Sequence, residues 1–433
     1  MSTLHDRLVD LASDAPAATP DPRLWDRAAR FHRRRRAGTA ALVAVAVLAV
    51  VSLVGIDTWQ RSPGVDPAAP GTAPALPARI WEPSGWLPGN DGQPTGPLAL
   101  LRETERNGWL GSEDGVVAVS ATTGEYLFLD LPDDAHRGHA LSPDGSKVAY
   151  WITGETTGSP QTSDGQDLPV VGIAVWDAES GEVRRHEVET EHGLGIAADP
   201  VWADATALVA TWGEYRVGDD APARFQGGFY SGEGLRVWDV AADDAPRLLG
   251  LDAEVDAGNG SGQVLLTVDD RPVLDVRTGR RSGPSGRRTD YGWVSALSPD
   301  GSAIAFPRSN PGPLLLLRGD GRPDVLIEED VEEAVGWTDG ETVVFATSDP
   351  EAVDRDTRLE VVSLATGERR VLVQAGSFQH VPGNLATDLL AVEPRDFPEP
   401  DRPWDPRVVA ALVGFVTLVA GAWLLGWRRR VEA

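Results

Sequence analysis

The chain contains no cysteine. That excludes disulfide bridges, thiolate metal sites, cysteine nucleophiles and a lipidated N-terminal cysteine. Basic residues are scarce too, with 39 Lys and Arg against 66 Asp and Glu, and Lys147 is the single lysine. A net charge of −27 argues against nucleic acid as the main partner, because phosphate binding needs clustered Lys and Arg. Disorder as a whole is excluded as well, since 41% of the 433 residues are hydrophobic and can bury a substantial core. This length fits two or three domains or one large β-architecture.

The charge is unevenly placed. Residues 1–36 hold eight Arg and five Asp, and residues 428–433 hold three Arg and one Glu, so 28 basic and 60 acidic residues fall between them. Just inside these basic ends, residues 37–56 and 408–427 each run for 20 positions without a charge. As helices they are about 30 Å long, enough to cross a bilayer core. Arg33 to Arg36 precede the first stretch and Arg428 to Arg430 follow the second. The excess of basic residues predicts that both termini, 1–36 and 428–433, are cytoplasmic and that everything between the spans lies outside the cell membrane. Trp59 and Trp404 then fall at the outer interface and Trp427 at the inner one.

Proline-rich segments at 57–77 and 394–407 read as semi-rigid spacers. They bracket residues 78–393, where short β-rich runs alternate with Gly and Asp turns. One element recurs there as an apolar run, a Gly turn and a second strand, with its glycine at Gly124, Gly181, Gly279, Gly321 and Gly367. A Gly-free variant occupies residues 237–248. From Gly124 to Gly367 is 243 residues in five steps, about 49 per repeat, near the spacing of propeller blades. A second element, Leu-Ser-Pro-Asp-Gly, starts at Leu141 and at Leu297, with a degenerate copy at 335–345. Its proline fixes φ, its Asp bonds nearby amides and its Gly takes positive φ. Together with Trp176-Asp177 and Trp238-Asp239, these turns resemble the WD-repeat and TolB-type β-propeller families. The resemblance implies an all-β propeller of six or seven blades, flanked here by two transmembrane helices. Its ring would be closed by the C-terminal pieces 378–381 and 389–393, so that both linkers leave side by side.

No Gly-x-Ser-x-Gly elbow and no phosphate-binding Gly-rich loop followed by Lys occurs. His136 and His139 have a His-x-x-His spacing but lack the further ligands that zinc requires. Paired acids at 133–134, 219–220, 243–244 and 269–270 read as solvated turns, not calcium loops. The acidic run Glu328 to Glu333 reads as a loop between blades. No enzyme activity, cofactor or metal is predicted, although an active site assembled from several blades, as in a propeller hydrolase or lyase, would leave no local motif.

Two insertions stand out, at 155–169 and 213–234, between the second and third strands of neighbouring blades. The second carries Tyr215, Arg216, Arg224, Phe225, Phe229 and Tyr230, the aromatic-plus-Arg mixture of binding hot spots. It marks a binding surface for an extracytoplasmic protein or small ligand. At the other end, Leu24-Trp25-Asp26-Arg27-Ala28-Ala29-Arg30 precedes the Arg cluster and the first span. This segment resembles the cytoplasmic ends of actinobacterial membrane proteins associated with sigma factors. That resemblance implies a docking segment built on Leu24, Trp25, Arg27 and Arg30, a sigma factor as partner, and an anti-sigma-like regulator as the alternative to a membrane-anchored sensing module.

Overall fold

The computed structural model describes Ser13 and residues 73–412, 414–415 and 419, except 133–134, 136–137, 161–167, 197, 217–228, 243, 252, 268–270, 285–294, 310, 319–321, 349–356, 376–383 and 401. The first predicted span and the segment holding Leu24, Trp25, Arg27 and Arg30 therefore lie outside the described residues. Among the described residues no helix is long and apolar enough to cross a membrane. By its contacts the chain divides into two units, Arg61–Pro403 on the one hand and Met1–Gln60 with Trp404–Ala433 on the other.

Alternating apolar positions and tight turns produce six antiparallel sheets. Blade 1 consists of Asn384–Leu385, Leu98–Gly108, Gly111–Ser120 and Tyr126–Phe128, from the centre outwards. In blade 2 the order is Ala140–Leu141, Lys147–Thr153, Val170–Asp177 and Val183–Glu187. Blade 3 orders Leu194–Ile196, Ala207–Arg216, Phe229–Asp239 and Arg247–Leu248, and adds Val201–Trp202 beside Ala207–Arg216. Blade 4 comprises Val255–Gly258, Gln263–Leu266, Val273–Asp275 and Arg281–Ser282. Blade 5 comprises Ala296–Leu297, Ala303–Pro307, Gly312–Arg318 and Arg322–Val331, and blade 6 Glu333–Asp339, Thr342–Ser348, Thr357–Ser363 and Arg369–Gln374. Neighbouring blades meet through their inner strands from blade 1 to blade 6, with Val201–Trp202 serving in blade 3, and the segment Thr387–Ala391 that follows the inner strand of blade 1 meets that of blade 6, so this is a six-bladed β-propeller and the seven-blade alternative falls. The acidic stretch Glu328–Asp330 belongs to the outer strand of blade 5 rather than to a loop.

The turns explain why the sequence repeats. Asp144 Oδ1 accepts from Ser146 N at 3.0 Å and Ser142 Oγ at 2.7 Å, while Lys147 N donates to Ser142 Oγ at 2.9 Å. Asp300, Ser298 and Ser302 repeat the network in blade 5. Asp204, Asn259 and Asp339 cap the equivalent turns of blades 3, 4 and 6. The aspartates of the two Trp-Asp pairs cap the turns between third and fourth strands, Asp177 binding Ser180 N and Asp239 binding Ala241 N. These carboxylates are structural, and each saves a turn amide from lacking a partner.

Ring closure differs in detail from the expectation. Asn384–Leu385 supplies the innermost strand of blade 1; residues 378–381 lie outside the described residues, and Leu389 and Leu390 belong to a 3-10 helix, Thr387–Ala391. That helix meets blade 2 through Asp388 N donating to Pro143 O at 2.9 Å. A Cβ on Gly260 of blade 4 would stand 3.1 Å from Asp388 Oδ1, and one on Gly336 of blade 6 would meet Leu390. The short helix thus spans the centre of the ring on the face that carries the Asx-capped turns.

A second closure comes from the N-terminal side. Ala75 and Leu76 are buried, and residues 76–80 run parallel to the outer strand of blade 6, with Ile80 N on Gln374 O at 2.7 Å and Gln374 N on Ala78 O at 3.0 Å. Asn90 N then pairs with Phe128 O at 2.9 Å on the outer edge of blade 1. One strap therefore covers two open sheet edges across the seam. The exit of the chain lies beside its entry, since Arg395 pairs in parallel with Pro77. Both reach the same blade 1 turn: Ala75 N donates to Ala121 O at 2.9 Å, and Phe397 packs against Gly124.

Candidate functional site

In an antiparallel blade the connections between second and third strands share a face with the blade-to-blade crossings, opposite the Asx-capped turns. We call it the mouth face. Among the described residues, the connections of blades 1, 2 and 3 carry the features set out below.

On blade 1 the hairpin Leu98–Gly108 with Gly111–Ser120 stays paired out to Gly108 opposite Gly111. A two-residue turn presents Trp109 at 41% and Leu110 at 104% exposure, and Glu105, Glu113 and Asp114 flank it on the surface. Blade 2 contributes the insertion, anchored by Gly154 N on Pro169 O at 3.1 Å and Gly158 N on Glu191 O at 2.8 Å. His192 Nδ1 lies 2.7 Å from Ser159 O. In blade 3 the described parts of the predicted loop at 213–234, residues 213–216 and 229–234, are strand, and 217–228 lie outside the described residues. The backbone register sets Tyr215 opposite Tyr230 and Arg216 opposite Phe229, so four of the six proposed binding residues share one end of the described part of a hairpin. Arg224 and Phe225 lie outside the described residues. Tyr215 N also donates to Gly193 O at 3.1 Å, tying this hairpin to the crossing from blade 2.

The base of the blade 3 hairpin is rigid. Trp212 receives Trp151 edge-on, with ring centres 5.9 Å apart, and the Arg236 guanidinium lies 4.3 Å over its ring. Arg236 Nη1 donates to Trp212 O at 2.6 Å and Gly234 O at 2.9 Å. His186 stands 6.4 Å from both Trp212 and Trp238. Its imidazole is held below the usual histidine range by burial and, secondarily, by the Arg236 charge.

At the floor of the sector, Glu103 of blade 1, His139 at the entry to blade 2 and Asp199 at the entry to blade 3 converge. His139 Nδ1 is 3.0 Å from Glu103 Oε1. Crowding by protein pushes the Asp199 carboxyl up, the Glu103 charge pushes it further, and His139 opposes both, although Asp199 keeps contact with solvent. His139, read in the sequence beside His136, is thus engaged with Glu103; His136 lies outside the described residues. Glu103 and Asp199 carried no sequence signal, since they come together only when the ring closes. Among the described residues no group of three His, Asp or Glu side chains is placed to hold a metal ion.

A concavity of about 490 Å³ lies between blades 5 and 6, lined by Glu328, Glu329, Asp330, Arg358, Glu360 and Arg369 among others. Arg369 clasps the two blades, reaching Glu329 at 2.9 Å and Glu360 at 2.8 Å.

No family model and no curated protein matches this chain. Similar solved structures exist at low identity. TolB from Acinetobacter baumannii aligns with 67% of this chain and 68% of its own at 16% identity and a TM-score of 0.35. Oligogalacturonate lyase from Vibrio parahaemolyticus aligns over 60% and 71% at 13% identity, TM-score 0.37. The β-propeller domain of the Trilobed protease from Pyrococcus furiosus aligns over 63% and 97% at 14% identity, TM-score 0.32. Likenesses this distant assign no activity.

Proposed function

We propose that this protein is a membrane-tethered binding module that captures a protein partner on the mouth face of its propeller and catalyses no reaction. The observation that carries this reading is the exposed Trp109-Leu110 tip of the blade 1 hairpin. A fully solvated Leu beside a Trp that keeps 41% of its surface exposed, at the end of a paired hairpin, leaves apolar surface outside the core, and aromatic anchors of this kind dominate interface energetics. With Glu105, Glu113 and Asp114 around the tip, the fitting partner offers an apolar pocket rimmed by basic residues.

The tether is inferred from the apolar stretches 37–56 and 408–427. Helical residues in the second leave Val408, Leu412, Phe415 and Val419 between 49% and 65% exposed, a spacing that gathers large apolar side chains on one helix face. Ala75 and Phe397 meet at one turn of blade 1, on the face opposite the mouth. The test replaces Trp109 by Ala and Leu110 by Ser in the full membrane-embedded chain. Partner recovery by crosslinking should fall more than tenfold, a loss of about 1.4 kcal/mol or more, with the unfolding midpoint unchanged. Undiminished recovery would refute the reading.

A further inference from the structure

The outer edges of two neighbouring blades carry opposite charge. Residues 271–284, which hold the third and fourth strands of blade 4, contain four Arg and one Asp. The outer strand of blade 5, Arg322–Val331, contains four acids and one Arg. The first run stands out, because the chain between the basic ends has 28 basic against 60 acidic residues. Arg271 and Arg280 are exposed, and exposed Arg247 of blade 3 joins them by donating from Nη2 to Val276 O at 3.2 Å. Arg281 Nε donates to Arg271 O at 3.0 Å. These two carbonyl acceptors are neutral, so they place guanidinium groups without cancelling charge. Arg277 is answered inside the chain by Asp204 at 2.7 Å. Arg271 holds a φ of +48°, where side chains are rarely found, so blade 4 keeps an arginine where glycine would fit more easily. On blade 5, Glu329 turns to Arg369 of blade 6. Asp324, Glu328 and Asp330 are exposed, and so is Val325 at 58%.

We propose that these two edges join two copies of the chain about a two-fold axis parallel to the axis of the ring. Blades 4 and 5 are neighbours that share a buried cluster containing Leu265, Val273, Ile304 and Leu315. A half-turn about such an axis sets blade 4 of one copy against blade 5 of the other, and blade 5 against blade 4, so one contact is made twice. Like edges repel, and this orientation alone brings each edge against its opposite. The net charge of −27 opposes association at long range, but salt screens that repulsion beyond about 8 Å at physiological ionic strength. An unrelated acidic partner would use the arginine edge and leave the acidic strand unanswered, whereas a second copy answers both. Val325 adds apolar surface on the acidic side, and Leu248, 53% exposed beside Arg247, adds it on the basic side. The inference goes beyond the mouth-face reading and does not depend on it.

The full chain in detergent micelles is measured by mass photometry together with two charge-reversed variants. Arg247→Glu with Arg280→Glu makes both edges acidic, and Glu328→Arg with Asp330→Arg makes both edges basic. The unmodified chain should be a dimer, and each variant alone should bind its own copies at least about tenfold more weakly. Mixed in equal amounts, the two variants should recover the dimer, because both facing pairs are then opposite in sign. A second measurement leaves most of the charge in place and uses the absence of native cysteine. Chains carrying Arg280→Cys and Glu328→Cys, produced together in one membrane, should be joined by a short bis-maleimide. The proposal is overturned by a monomeric unmodified chain, by a dimer that neither reversal weakens, or by failure of both the mixture and the bis-maleimide to join two chains. Assemblies longer than a dimer overturn it as well, since a head-to-tail contact builds those. The Trp109→Ala, Leu110→Ser variant should dimerise as the unmodified chain does, so failure of this contact and failure of the hairpin reading are told apart.

Discussion

Replacing Glu333 by glutamine should stabilise the propeller at pH 8 and leave it unchanged near pH 4. Glu333 opens the innermost strand of blade 6 and is mostly buried. That burial, reinforced by the charge of Glu332, pushes its carboxyl from an ordinary 4.5 up to about 7. The folded state therefore holds this proton more tightly than the unfolded chain does. Its stabilising share is fully present below pH 4.5, shrinks as the pH rises toward 7 and is gone above it. At about 1.4 kcal/mol for each pH unit between the two values, the ionised form costs the fold at most about 3.5 kcal/mol. Glutamine keeps the shape and removes the charge, so the gain at pH 8 should approach that figure. Urea unfolding followed by tryptophan fluorescence at both pH values measures it, and Glu332→Gln should recover a smaller part by removing the neighbouring charge. An equal effect of Glu333→Gln at pH 4 and pH 8, or a loss of stability at pH 8, would refute the reasoning.

Other consequences are equally direct. Gly145 and Gly301 occupy the same position in the two Leu-Ser-Pro-Asp-Gly turns, at φ of +75° and +71°. A Cβ at Gly145 runs into the backbone carbonyl of Leu98, whereas at Gly301 it meets the flexible Gln263 side chain. Gly145→Ala should therefore cost at least about 2 kcal/mol and Gly301→Ala about 1 kcal/mol, compared by thermal unfolding. Arg369→Gln should cost about 1–2 kcal/mol in the same assay. Most of that loss comes from stranding the largely buried Glu360, because the exposed Glu329 arm contributes little. The absence of cysteine permits single-cysteine mapping of topology. Ser112→Cys should react with a membrane-impermeant maleimide on intact cells, while Ser2→Cys should react only after lysis.

Much of the fold is legible because each blade carries its own local chemistry. The paired Ser-Pro-Asp-Gly turns and the Asp-capped turns at Asp177 and Asp239 specify hairpins without reference to the rest of the chain. Closure is harder to read. Asn384–Leu385 is only two residues long, and it is a strand because Leu98–Gly108 offers it an edge. Residues 75–77 of the strap look like the end of a proline linker in sequence, yet Ala75 N bonds Ala121 O, and just beyond them Ile80 N bonds the open edge of blade 6 at Gln374 O. Glu328–Asp330 reads as a loop because its acidic residues mask the alternation that ends in buried Ile327 and Val331. The long blade 1 hairpin has a signal in hindsight, Asn107-Gly108 before Trp109-Leu110-Gly111, where glycines at both ends of the turn permit tight reversal. The mouth cluster has none. Glu103, His139 and Asp199 are far apart in sequence, and their meeting depends on three blades packing around one axis.

The central claim, that the mouth face is where a partner is captured, is tested most directly by site-specific photo-crosslinking in intact cells. A photoreactive residue is placed at Leu110, on the blade 1 hairpin tip, and separately at exposed Thr366, in a turn on the opposite face. The account predicts a discrete protein adduct from Leu110 and none from Thr366. An adduct from Thr366 alone, or from neither position, would contradict it.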